Sequence, residues 1–322
     1  MSNETVKGMD SRLAIVIPAY KSRFLQATLD SIAKQSCKDF VVYIGDDNSP
    51  QNLEAIVGRY RNEFPLVYHR FEENMGRNDL PGHWERCIAL SRNEPLIWLF
   101  SDDDLMPADG VERILQAAAV HGDTRVFFRF PLSLVDAEGH LFRSNPPFDA
   151  DCISGYHFLL DKLGGKISSA ACEYVFSRDV YTEAGGFVKF PLAWCSDDAS
   201  WARFADLAGG IVSLYGQPVC WRNAENENIS NSVVYNKEKA KATALFVDWI
   251  ARYYPDRRDD AVLHCALKSY IKTILVCSLR SVFDVADLWG MCRAVWQISP
   301  AVASGLFAKY LFRALRRKGK SL

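Results

Sequence analysis

The sequence predicts an α/β protein, with a mostly parallel sheet carrying helices on both faces and a helical C-terminal extension. Three observations predict it. Apolar runs of strand length alternate with segments of helical spacing through the first hundred residues. Acidic clusters follow two of those runs, at the strand ends where open parallel sheets bind ligands. From about Lys237 onward the pattern is helical alone.

Leu13–Tyr20 is a continuous apolar run, as expected for a parallel strand buried on both faces. Apolar positions at Leu25, Leu29, Ile32 and Ala33 then predict a helix within 22–35. The strand Phe40–Ile44 follows, with a helix over about 51–62, the strand Leu66–Phe71, a helix near 82–92 and the strand Leu96–Phe100. This repeating order of strand and helix means a parallel sheet covered on both sides. Beyond it the pattern predicts a helix from 108 to about 120, the strand Arg125–Phe130, loop over 140–155, a strand around Ala170–Phe176 and a helix near 197–208.

The chain has 322 residues, of which 49% are hydrophobic and 24% charged. That length suits about two domains, or one large domain with an appendage, and excludes a disordered or fibrous chain. A net charge of −1 argues against general nucleic-acid binding. Nine scattered cysteines form neither a C-x-x-C pair nor a zinc spacing, so reduced thiols in a cytoplasmic protein are expected. The polar first twelve residues predict no signal peptide, and no long uncharged apolar run predicts a membrane span.

Asp46-Asp47-Asn48-Ser49 follows the second strand, and Ser101-Asp102-Asp103-Asp104 the fourth. Either cluster alone could be a turn or a helix cap. Carboxylates gathered at two strand ends of one sheet call for a positive partner, and a divalent cation on a diphosphate would supply it.

These residues resemble the inverting family 2 glycosyltransferases of the GT-A fold, a Rossmann-like architecture. The resemblance covers roughly residues 12–232. It rests on Ile17-Pro18-Ala19-Tyr20, the Asp46–Ser49 turn, Asn74-Met75-Gly76-Arg77-Asn78, Ser101-Asp102-Asp103-Asp104 as the DXD motif, and Gly185-Gly186-Phe187. It implies a catalytic domain over 1–234, with a donor half about 12–107 and an acceptor half about 108–234, and a helical region over 235–322. It implies that Pro18 and Tyr20 pack on the nucleotide base, that Asp46 or Asp47 accepts a hydrogen bond from base or ribose, and that Asp102 lies near the ribose with Asp103 beside it. Asp104 would ligate Mn²⁺ or Mg²⁺, and Asn78 would line the donor pocket.

An inverting transfer needs a carboxylate to take the acceptor's proton. The family places it where Ser196-Asp197-Asp198 stands here. Aligning Trp201 and Arg203 puts the base at Asp197, with Asp198 as the alternative and Ser196 replacing the usual Glu. The segment from Trp221 to Asn231 resembles the loop folding over donor phosphates, with Arg222 as phosphate contact. A His that many relatives use as a third metal ligand is absent between His157 and His264.

The expected reaction moves a sugar from a nucleotide-diphosphate donor, a UDP-sugar, to a hydroxyl of a glycan or lipid-linked acceptor in cell-surface polysaccharide synthesis. The alternatives are a sugar nucleotidyltransferase, which would need a Gly-rich basic loop after the first strand, or an inactive nucleotide-sugar-binding module. Seven basic residues and no acid lie in 288–322, with Val302, Leu306, Tyr310 and Ala314 recurring every fourth position and Phe307 and Leu311 beside them. This predicts either an amphipathic helix on an anionic membrane, at its cytoplasmic face, or a helix docked on the catalytic domain.

Overall fold

The computed structural model describes residues 11–224, 234–278 and 283–318. Four strands open the chain: β1 (Leu13–Ala19), β2 (Phe40–Asp46), β3 (Leu66–Arg70) and β4 (Leu96–Leu99). Between them run α1 (Leu25–Ala33), α2 (Leu53–Val57) and α3 (Leu80–Ile88). All four strands are parallel, in the order β3-β2-β1-β4. The sequence order therefore reverses at β1, the topological switch point where open α/β sheets bind ligands.

After α4 (Gly110–His121) the sheet becomes mixed. It adds β5 (Phe127–Arg129), β8 (Cys152–Ile153), β9 (Tyr174–Ser177) and β10 (Ile211–Ser213), giving eight strands in the order β3-β2-β1-β4-β9-β5-β10-β8. β9 runs antiparallel to both β4 and β5. A smaller sheet joins β11 (Val219–Arg222), β6 (Leu132–Val135) and β7 (Leu141–Ser144). The expected loop over 140–155 thus contains β7, four exposed residues, and β8, only two residues long, which leave too little periodicity to read. The strand expected from Ala170 starts only at Tyr174, after a 3₁₀ turn over Ala171–Glu173.

Alternate residues of β1 serve opposite cores. Leu13, Ile15 and Ile17 face one side with α1, α2 and α4, while Ala14 and Val16 face the other. That second core holds Trp201 and Phe204 of α7 (Ser196–Ala208), and extends without a break into the C-terminal helices. These are α8 (Asn236–Tyr253), α9 (Ala261–Thr273), α10 (Val285–Trp296) and α11 (Pro300–Lys318).

Of the two roles expected for α11, part of its stripe takes the docked one. Leu306, Tyr310 and Ala314 are buried, and α11 packs on α10 and α9. No described helix is long and apolar enough to cross a membrane.

Candidate active site

Three loops meet at the carboxyl ends of β1, β2 and β4, and the acids tie them together. Asp102 Oδ2 accepts the backbone N–H groups of Tyr20 (2.7 Å) and Lys21 (2.8 Å), clamping the loop after β1 to the loop after β4. Tyr20 projects outward, 43% exposed, as a ring that must cover a base does. Pro18 is half-buried within β1, opposite Gly45.

Asp46 is fully buried and accepts hydrogen bonds from Ser49 N (2.7 Å) and the Tyr68 hydroxyl (2.6 Å). Asp47 accepts from the N–H groups of Met75 and Gly76, both at 2.8 Å, and from the Arg86 guanidinium. A Cβ at Gly76 would stand 2.7 Å from Asp47 Oδ2, so the 74–78 motif needs glycine there. Both acids thus hold the rim of the site from within. Asn78 is exposed beyond it.

His83 and Arg86 of α3 support Asp47 and were not found in the sequence analysis. Arg86 Nε donates to His83 Nδ1 at 2.9 Å, and burial pushes the imidazole down to about 4. The His83–Arg86 spacing, three apart on one helix face, was the available signal.

The three acids after β4 differ in environment. Asp103 has the Lys21 ammonium 3.7 Å away, and its side chain is 12% exposed. Burial, then the charges of Asp104 and Asp102, push it well above the usual carboxylate range. Asp104 is wholly buried beside the Cys172 thiol, and burial pushes it up to about 6. Its Oδ1 accepts the Arg222 N–H (2.8 Å), while Oδ2 accepts no hydrogen bond of ordinary geometry among the described residues. Uncompensated hard oxygen donors fit a divalent cation. Among the described residues these acids do not form a three-ligand group, so the donor's phosphates or water would complete the coordination.

Arg222 is placed otherwise than expected. It is 4% exposed, and its guanidinium donates to the carbonyls of Asp103 (2.9 Å), Asp136 (3.1 Å) and Ala137 (2.9 Å). It braces the acidic loop from beneath, since β11 runs under that loop and aims Arg222 inward. Residues 225–231 of the expected phosphate loop lie outside the described residues.

The second half of the site is the start of α7. Gly185 and Gly186 both adopt positive φ, and a Cβ at Gly186 would meet Glu85 Oε1 at 2.5 Å. Leu192, Ala193 and Cys195 also have positive φ, a concentration of strain held by the surroundings. Phe190 N donates to Ser196 Oγ (2.9 Å), and Val188 N to Ser200 Oγ (2.8 Å). From behind, Trp194 Nε1 donates to Thr243 Oγ1 of α8 (3.1 Å), and Cys195 Sγ meets the Tyr270 hydroxyl of α9 at 3.0 Å.

Asp197 and Asp198 open the helix with different fates. Asp198 is buried, and its Oδ1 takes a 2.7 Å ion pair from Lys162 of α5 (Gly155–Gly164). Asp197 is half-buried, and burial plus the charge of Asp198 push it up to about 7 against the opposing Lys162 ammonium. A carboxylate near neutrality that keeps solvent access can take up a proton. Lys162 lies 35 residues away in sequence from Asp197, and no local pattern marks it.

Residues 14–141 match the model of glycosyl transferase family 2. An uncharacterized glycosyltransferase of Bacillus subtilis, YfnE, is 30% identical over 105 residues, which are 30% of this chain and 24% of the relative. The poly(ribitol-phosphate) β-N-acetylglucosaminyltransferase TarS of Staphylococcus aureus is 32% identical over 96 residues, 29% of this chain and 16% of TarS. A Campylobacter jejuni GalNAc(5)-diNAcBac-PP-undecaprenol β-1,3-glucosyltransferase is 25% identical over 164 residues, 49% of this chain and 50% of its own. The chain thus aligns with half or less of each curated relative's length. The S. aureus TarS 1–349 crystal structure in complex with UDP-GlcNAc superposes with a TM-score of 0.66 at 15% identity, covering 95% of this chain and 87% of that one. That structural likeness shows the fold, and the family match covers β1 to the start of β7. Residues 14–141 of the chain thus match the glycosyl transferase family 2 model, and the chain has the GT-A fold.

Proposed function

We propose that this chain transfers a sugar with inversion from a UDP-sugar to a hydroxyl of a glycan or lipid-linked acceptor, in cell-surface polysaccharide synthesis. The observation that carries it is Asp197, a half-buried carboxylate pushed up to about 7 beside a partner acid already paired with Lys162. Asp197 takes the proton of the acceptor hydroxyl as its oxygen bonds the anomeric carbon. The bond from that carbon to the diphosphate breaks, its electron pair leaving with the nucleoside diphosphate. Attack from the face opposite the leaving group inverts the centre.

On this reading Tyr20 and Pro18 receive the base, while Asp46, Asp47 and Asp102 set the rim around the nucleoside. Asp103 and Asp104 would hold Mn²⁺ or Mg²⁺, which supplies positive charge for the departing diphosphate. Asp104 offers an oxygen that accepts no hydrogen bond of ordinary geometry among the described residues, and Asp103 a carboxylate facing the Lys21 ammonium. The choice of UDP is supported by the UDP-GlcNAc complex of TarS, and a lipid-linked acceptor by the undecaprenol relative. A lipid-linked acceptor in turn supports action in the cytoplasm against the inner membrane face. A base poised near neutrality favours an enzyme over an inactive binding module, which has no use for one.

Purified protein assayed with Mn²⁺ against a panel of nucleotide sugars, scoring nucleotide release, tests the reading. Turnover should select UDP-sugars, and Asp197→Asn should lower kcat by about 10²–10⁴ with donor affinity unchanged. Full turnover in that variant would overturn the assignment.

A further inference from the structure

The pair α10 and α11 buries one side against α8 and α9 and turns an apolar side to solvent. On α10, Trp289 and Trp296 are 59% and 56% exposed, and Arg293 between them is exposed as well. Spacings of four and seven residues put all three on one helix face. Trp289 meets Phe307 of α11 edge-on, with ring centroids 5.7 Å apart. From Phe307 the same row continues through half-buried Leu311 to Leu315, which is 51% exposed, with Phe312 beside it at 61%. The ridge follows α11 from Phe307 to Leu315, about 12 Å at the helical rise. Phe307 and Leu311 were part of the stripe read from the sequence, whereas Leu306, Tyr310 and Ala314 of that stripe are buried.

We propose that this outer face of α10 and α11 docks on an anionic lipid bilayer. Charge complementarity selects that occupant. Residues 288–322 hold seven basic residues and no acid. Arg293 stands within the ridge, and exposed Lys309 and Arg313 flank it. Asp284 and Asp287, the acids at the start of α10, both pair with Lys237, at 2.6 and 2.7 Å, which offsets one of their two charges. A second copy of the chain would bring Arg293, Lys309 and Arg313 against the same cations, which is repulsive. Tryptophan suits the level of lipid headgroups, where an apolar ring with one polar N–H has both of its neighbours. Apolar burial plus cation attraction is how an interfacial helix binds.

The proposal is independent of the transferase reading, because vesicle binding and nucleotide binding are separate measurements. The full chain is floated with phosphatidylcholine vesicles containing or lacking phosphatidylglycerol. Flotation should need phosphatidylglycerol and be lost at high salt. Each basic residue near an anionic surface contributes about five-fold, so Lys309→Glu with Arg313→Glu should cut partitioning at least about 25-fold. Trp289→Ser with Trp296→Ser, at exposed positions that leave the core intact, should cut it at least about ten-fold. UDP binding by calorimetry should be unchanged in both variants. Equal flotation with or without phosphatidylglycerol, or no loss in either variant, would overturn the proposal. So would a lipid-free dimer that the tryptophan variant dissociates, which assigns the face to a second copy.

Discussion

On the proposed mechanism Lys162 bears on Asp197, the proposed base, through charge, and removing that charge should move the pH profile of catalysis. Asp197 must be ionised to accept a proton, so kcat/KM should fall on the acid side with an inflection near 7, where burial and Asp198 place it. The Lys162 ammonium opposes both effects, pairing with Asp198 at 2.7 Å. At an effective dielectric of about 20, a unit charge some ångströms beyond contact contributes at most about 4 kcal/mol. Solvent access at Asp197 reduces that to about 1–2 kcal/mol, or about one pH unit. Lys162→Met should therefore move the inflection up by about one unit, and Lys162→Arg should restore it. The Met variant also leaves Asp198 buried without its cation, a loss of up to about 3–5 kcal/mol, so rates are to be measured at low temperature on protein shown folded by circular dichroism. An inflection that stays in place when the ammonium is gone would refute the electrostatic link. A wild-type inflection near 4 would refute Asp197 as the group that titrates.

The same shift has a signature in stability. Asp197 binds its proton more tightly folded than unfolded, so stability should decline as pH rises from about 4 to 7. Asp197→Asn should remove that decline and raise stability above pH 7 by about 2 kcal/mol, read as a Tm higher by a few degrees; a lower Tm would contradict it. Gly186→Ala adds a Cβ at φ +84° and 2.5 Å from Glu85 Oε1, and should cost about 1–3 kcal/mol in urea unfolding while slowing turnover. Asp103→Asn and Asp104→Asn should each weaken Mn²⁺-dependent UDP binding by calorimetry. UDP binding that is equal in EDTA and in both variants would remove the metal from these acids.

The first four strands and their order in sequence were legible because each is buried on both faces, and such strands read as unbroken apolar runs. The loops after β2 and β4 were legible as acidic clusters for a related reason, since charge so close to a core stands out. Partners were not legible. Asp102 looked like a ligand-facing acid, yet it also holds the N–H groups of Tyr20 and Lys21, about eighty residues away. Arg222 read as an open phosphate fork, and only the placement of β11 beneath the acidic loop shows where its guanidinium points.

By itself, then, the sequence determined the alternation of strand and helix and the residue types at the strand ends, because burial on two faces and helical spacing are local patterns. Tertiary structure alone decided which carboxylate at the start of α7 is paired and which is left to titrate. That choice depends on Lys162, which α5 delivers across space to Asp198. It also decided which side of α11 meets solvent. A helix with apolar residues on more than one side does not say which of them its neighbours will cover, and α9 and α10 cover Leu306, Tyr310 and Ala314 while leaving Phe312 and Leu315 outside.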